Sequence, residues 1–341
     1  MAFIRRRLLS PLGLALTGLG LLVVVFLALW LIPSNTYIFL PDRAHPVGPL
    51  VRVQGGHDQK GGGIYFVDIF VRKASLIERL WPGIHEGAEL VPTSALLGPG
   101  TSEAQRVAAA QQEMTRSQQI AAAVALRAAG YRVPAQPTGA LVEQVALDAP
   151  AAGKLLSTDV IVGADGHRVR TPADLRRIVG RKKPGSSVRL NVRRGKNLEQ
   201  VDVKTIADPN RPKRSIIGIF VDQAASIDLP LKVKIDAGDV GGPSAGLAFA
   251  LEVLEKLGKD VDHGRRIAAT GQLELDGTVS AIGGVKQKTI GVRNSGIRFF
   301  LVPAGENAAE AQRYAHGVRI IPVHSFRQAL RKLATLTKSA A

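Results

Sequence analysis

The first apolar pattern in the chain is unbroken. From Leu12 to Ile32 no charged residue occurs. At ~1.5 Å per residue the run reaches about 30 Å, enough for a bilayer core. Arg5-Arg6-Arg7 precede it, Trp30 sits near its far end and the next charge is Asp42. Basic residues before a span place the N-terminus on the cytoplasmic side and the bulk of the chain outside. The rival is a cleaved signal peptide. The length of the run argues against it, as does Leu31-Ile32-Pro33-Ser34, which lacks an A-x-A-type cleavage site.

After the span the pattern shortens. Val51-Arg52-Val53 and Ile64 to Val71 are rich in β-branched and aromatic residues, and Gly55-Gly56 and Gly61-Gly62-Gly63 between them mark turns. Ser75 to Trp81 predicts a short helix closed by Pro82-Gly83, and a Pro/Gly loop runs to Gly100. Ser102-Glu103-Ala104-Gln105 has the form of a capping box and opens a long alanine-rich helix ending near Ala129. This stretch, 33–130, reads as a β-rich and helical leader without chemistry of its own. Short strands with one helix from Thr171 to Val179 then occupy 131–206, and Asp208 to Pro212 reads as a linker. In the last part, 207–341, Leu231 to Ile235 alternates as a strand. Ile267 to Thr270 and Phe299 to Val302 read as buried strands. Lys288 to Asn294, Ala308 to Ala315 and Ser325 to Leu336 read as helices. Without a strict βαβ repeat, the fold class is α+β.

The formal net charge is +17, from 45 basic and 28 acidic residues. The bases are scattered and no nucleic-acid-binding signature is present. The balance therefore points to a membrane-facing or merely basic surface, with no nucleic acid among the partners. No cysteine occurs, which excludes disulfides, thiol catalysis and cysteine-zinc sites. The seven histidines show no metal-ligand spacing, so no metal is expected.

The chemistry concentrates in two glycine turns. Gly241-Gly242-Pro243-Ser244-Ala245-Gly246 delivers a serine to the start of an apolar helix, where unpaired N–H groups and the dipole favour developing negative charge. Thr270-Gly271-Gln272-Leu273 and Ile282-Gly283-Gly284-Val285-Lys286-Gln287-Lys288 follow. A serine needs a base to become a nucleophile. A lysine serves only if burial lowers its pKa from about 10.4. Ile282, Val285 and Ile290 would supply the apolar wall. These motifs, in this order, resemble the proteolytic domain of the Lon family. The resemblance makes Ser244 the nucleophile, Lys288 rather than Lys286 the base, and Thr270 the residue that positions its amine. Two positions depart from the cytosolic Lon pattern: Gly241 stands where an acid is common, and Gln272 where a glutamate is.

Residues 131–206 resemble a PDZ domain. Ala149-Pro150-Ala151-Ala152-Gly153 and Asp159 to Gly166 carry the later family pattern, with Ser157-Thr158 where a glycine is usual. The resemblance assigns Thr138, Gly139, Ala140 and Leu141 to the carboxylate-binding loop and the first peptide-facing strand, beside the Thr171–Val179 helix. Such a groove takes peptides by strand addition.

Gly238 to Pro243 also reads as G-D-V-G-G-P, the trypsin-type motif with its serine replaced. The domain order argues against that reading, as does the lack of room for the pair of β-barrels on which such enzymes carry an upstream histidine and aspartate. No G-x-x-x-x-G-K-[ST] occurs, since Gly180 to Gly185 has the wrong spacing, so neither ATP nor another cofactor is expected. The whole order resembles the bacterial membrane-anchored PDZ–Lon proteases: cytoplasmic residues 1–11, an anchor at 12–32, leader, PDZ-like domain and proteolytic domain. The implied function is a single-pass serine endopeptidase of the bacterial cell membrane acting on extracytoplasmic proteins or peptides. Lon-type domains often form rings, so the resemblance extends to a homo-oligomer. The alternative is a catalytically silent, membrane-tethered peptide-binding scaffold.

Overall fold

The computed structural model describes residues 11–58, 61–97, 102–146, 148–209 and 211–336. The basic segment at 5–7 and the end of the Pro/Gly loop at Gly100 lie outside the described residues. The chain divides into two compact units, one made of residues up to 42 with 69–96, the other of 43–68 with 97 onward.

In the first unit, helix α1 (Pro11–Leu31) coincides with the apolar run and is long and apolar enough to cross a membrane. It leads into β1 (Pro33–Pro46), which pairs antiparallel with β4 (Glu89–Pro92) from Thr36↔Pro92 to Phe39↔Glu89. The end of β3 (Gly63–Ser75) runs into the short helix α2 (Leu76–Leu80), and a single 3₁₀ turn follows at Pro82–Ile84. Ser75 starts α2 with a full capping box to Glu78.

The second unit holds both the PDZ-like sheet and the Lon-like core, and here the segment expected to be a leader contributes to that core. Val51 to Val53 form β2, which pairs with β13 (Val233–Ile235). The first half of β3 runs parallel to β14 (Arg266–Ala269). β14 is followed outward by β17 (Phe299–Pro303) and β18 (Arg319–Val323), all parallel. The long helix α3 (Glu103–Ala128) has the expected capping box at Ser102. Its Met114, Ile120, Ala121, Val124 and Ala125 are buried with Leu247, Phe249 and Leu251 of α5 (Gly246–Lys256), in a core that also takes Val51, Ile64 and Phe66. The proteolytic core is therefore not confined to 207–341. Its apolar interior could not close without residues from 47 to 129.

The PDZ-like sheet sits between those two parts in sequence. Its strands are β5 (Ala135–Val145), β6 (Val160–Ala164), β8 (Ser187–Arg194), β9 (Asn197–Lys204) and β12 (Ile219–Ile227), with the two-residue β7 (His167–Arg168) beside β6. Helix α4 (Pro172–Gly180) carries a capping box from Thr171 to Asp174. The spatial order is β12-β5-β6-β8-β9, around a core of its own that includes Val142, Ile161, Leu175, Leu190 and Val203. The expected linker falls in a hairpin, β10 (Ile206–Asp208) with β11 (Arg211–Ile216). β12 then returns to pair with β5 along its length. Entry and exit of the inserted sheet lie side by side: Ala135 pairs with Ile227, and the Asp228 N–H donates to the Pro134 carbonyl at 3.2 Å.

Candidate active site and peptide-binding edge

Ser244 lies in the turn just before α5. Two separate stretches hold the turn. From α3, the Ser117 hydroxyl donates to the Pro243 carbonyl at 3.0 Å, and the Ala110 carbonyl accepts the Gly242 N–H at 2.8 Å. From the strand edge, Gly271 N–H and Thr270 Oγ1 both donate to the Ser244 carbonyl, at 2.8 and 3.2 Å. The packing explains the glycine at 246: a Cβ there would sit 2.8 Å from Ser117 Oγ, so only glycine lets α3 approach this closely.

The second turn brings in the lysine. Gly284 has φ +70°, a left-handed conformation that suits glycine, and it starts α6 (Val285–Asn294). Asn307, at the start of α7 (Glu306–Tyr314), clamps the approach to this turn: its Oδ1 accepts the Ile282 N–H at 2.8 Å, and its Nδ2 donates to the Ile282 carbonyl at 3.0 Å. Helical geometry then separates the two lysines. Lys288 is buried, at 3% exposure, and Val285, Ile290 and Val292 of the same helix are buried as well. Lys286 lies 5.7 Å over the Tyr314 ring.

Lys288 Nζ donates to Ser244 Oγ at 2.7 Å and to Thr270 Oγ1 at 3.4 Å. The three residues expected from the motifs thus meet at one point. Burial lowers the Lys288 pKa to about 8, against a raising influence from the Asp68 carboxylate of β3. His45 Nε2 stands 3.6 Å from Asp68 Oδ1. Neither Asp68 nor the α3 clamp carries a sequence signal that would tie it to a serine more than a hundred residues away.

Thr138, Gly139, Ala140 and Leu141 are placed otherwise than expected. They lie on β5, an interior strand. Ala140 pairs with Gln223 on one side and Ile161 on the other; Leu141 pairs with Asp222 and Val160. At Ala140 and Leu141 both edges of β5 are occupied, which leaves no backbone groups there for an added peptide. The strands at the two ends of the described sheet are β12, which follows the Gly218 turn and pairs with β5, and β9, which pairs with β8. The glycine missing before Asp159 has a local counterpart. Thr158 takes φ +76°, a costly conformation for a β-branched residue, and its hydroxyl donates to Gln112 Oε1 of α3 at 2.5 Å.

α3 also ties the two sites together. Its Arg116 bonds Asp222 Oδ2 at 2.8 Å and the Gln223 carbonyl at 3.2 Å, both on β12, next to the Ser117 that holds Pro243. Beside it opens a cleft of about 740 Å³ that reaches from Leu141 and Glu143 to Pro243 and Glu274. Burial raises the pKa values of Glu113, Glu143 and Glu274 along it.

Two families match the chain: the PDZ domain over residues 112–205, and the Lon protease (S16) C-terminal proteolytic domain over 213–334. The chain carries both domains. The PDZ match begins inside α3 and stops before β12. Among curated proteins the chain is similar to the Lon protease of Mesomycoplasma hyopneumoniae, 38% identical over 91 residues, 26% of this chain and 10% of that protein. It is also similar to the Lon protease of Xanthomonas oryzae, 35% identical over 117 residues, 33% of this chain and 14% of that protein. The chain thus spans only a small part of the length of these relatives. Among solved structures, the PDZ domain of the SdrC-like protein from Listeria monocytogenes is 32% identical, covering 25% of this chain and 87% of that one, with a TM-score of 0.23.

Proposed function

We propose that this protein is a membrane-anchored serine endopeptidase that cleaves extracytoplasmic proteins or peptides with a Ser244–Lys288 dyad. The observation that carries the reading is the 2.7 Å contact between a buried lysine of lowered pKa and a serine at a helix N-terminus. In the neutral state of Lys288 the hydrogen bond reverses, and the serine hydroxyl donates to the amine. Ser244 Oγ attacks the peptide carbonyl as its proton passes to Nζ. The Lys288 ammonium then protonates the leaving amine, and the amine so regenerated activates water against the acyl-enzyme. Thr270 holds Nζ in line. The Gly242, Gly246 and Leu247 N–H groups are already bonded to carbonyls. The N–H groups of Ser244 and Ala245 therefore serve as donors to the oxyanion.

α1 anchors the chain with its N-terminus in the bacterial cytoplasm. The open edge of β12 beside α4 receives an extended segment of substrate. The sequence carries no Walker A motif, so added ATP should leave the rate unchanged, and unfolded chains should be cut faster than folded ones. The test is turnover of an unfolded casein-type substrate together with labelling by a serine-reactive probe at alkaline pH. Wild type should do both, and Ser244→Ala and Lys288→Ala neither. Equal labelling of all three proteins would remove the reading.

A further inference from the structure

The first unit presents an apolar face where a short helix would ordinarily hide one. On α2, Ile77 and Glu78 are buried, while Leu80 is 70% exposed. Trp81, which ends the helix, is 71% exposed, and Ile84 on the following 3₁₀ turn is 44% exposed. Lys73 and Arg79, both exposed, flank them.

The presentation is rigid. Glu78, almost wholly buried, accepts two bonds from the Arg72 guanidinium at 2.8 and 2.5 Å, one from the Ser75 N–H at 2.9 Å, and one from His85 Nε2 at 2.8 Å. The Arg72 guanidinium, foremost among these partners, holds its carboxyl far below the usual carboxylate range. The segment from Arg72 to His85 is therefore cross-tied around one carboxylate, and its apolar side chains are held outward.

Its position names the partner. The Leu76 N–H, at the first residue of α2, donates to the Ile32 carbonyl at 3.0 Å. Ile32 is the residue immediately after α1. The exposed tryptophan thus follows within two helical turns of a point fastened to the end of the membrane span. Tryptophan with aliphatic neighbours and flanking cations at that level suits the boundary between headgroups and acyl chains. We propose that Leu80, Trp81 and Ile84 are seated in the surface of the bilayer that α1 crosses, with Lys73 and Arg79 against anionic headgroups, so that the protein grips the membrane at two points. This rests on the reading of α1 as an anchor.

The chain has two tryptophans, Trp30 and Trp81, and this separates the two claims. The full chain is reconstituted in phosphatidylcholine–phosphatidylglycerol vesicles containing lipid brominated on the acyl chain near the headgroup. The Trp81→Phe variant leaves Trp30 as reporter of the anchor; the Trp30→Phe variant leaves Trp81 as reporter of the surface patch. Both emissions should fall by about half or more. Adding Leu80→Asp and Ile84→Asp to the Trp30→Phe protein should abolish the Trp81 quenching, with far-UV circular dichroism unchanged. Quenching of Trp30 without Trp81 would overturn the patch and spare the anchor. Quenching of neither would overturn both. A Trp81 shielded from aqueous acrylamide yet untouched by brominated lipid would mean that protein, such as a second copy, covers the face, and would also overturn the proposal.

Discussion

Helices α5 and α6 each carry a buried lysine, and their surroundings send them to opposite roles. Lys256, in the last turn of α5, bonds the Asp58 carboxylate and lies 3.7 Å from Glu252. Its charge is neutralised where it stands. Lys288 is as deeply buried, but its hydrogen-bond partners are two hydroxyls, and the Asp68 carboxylate acts on it through its charge. Desolvation then dominates and lowers its pKa to about 8, which on the proposed mechanism lets the amine serve as a base.

The sharpest way to break this comparison is to exchange proton transfer for fixed charge. Lys288→Arg keeps a cation that does not deprotonate near neutral pH and should cut kcat/KM on a fluorogenic peptide by about a thousandfold or more. Lys256→Met should leave that rate nearly unchanged. Next comes pH. The active species needs a neutral amine, so kcat/KM should rise about tenfold per pH unit on the acid side and level off above about 8. A flat profile across that range would exclude Lys288 as the base. Asp68→Asn comes third. Removing a negative charge disfavours the ammonium, so the pKa should drop and the whole profile move to lower pH, by about one unit. Movement the other way would show that Asp68 does not act on Lys288 by charge.

The smaller effects concern stability. Lys256→Met leaves Glu252 without its cation and should lower Tm by about 2–4 °C in a thermal melt. Smallest is Glu255, also on α5. Its carboxyl pKa is raised to about 7, chiefly by burial, although its Oε1 accepts the Val261 and Asp262 N–H groups. The folded state therefore holds a proton that the unfolded state releases near its ordinary value of about 4.5, and stability falls as pH rises between those values. Glu255→Gln keeps the acceptor and removes the titration, so its chemical-denaturation midpoint should vary less with pH than that of the wild type.

The proposed catalytic trio was legible because each member sits in or beside its own short glycine-containing motif. Glycines fix the local backbone there, and a few consecutive residues contain all of the geometry. The supports were not, because Ser117, Ala110, Asp68 and Asn307 act across the fold. A helix rich in alanine reads the same whether it is a spacer or the wall of a core. β12 was hidden for another reason. It follows a Pro-containing segment that reads as a linker, and its pattern of Val221, Ala224 and Ile227 becomes a strand only through pairing with β5. Thr138–Leu141 reads as a ligand strand when the sheet is taken in sequence order, whereas β12, the last strand of that sheet in sequence, pairs along its edge.

The adjacency of Pro134 and Asp228 has a consequence for how such a chain can change over time. A module whose first and last residues touch can be added, enlarged or excised without prying apart the body that hosts it, much as a branch is grafted at a single node. Bridging Pro134 to Asp228 by a tight turn should thus yield a shorter hydrolase that retains its nucleophile and base. What it would lose is the grip of Arg116 on β12, and with it the proposed link from a bound segment to the Ser244 turn.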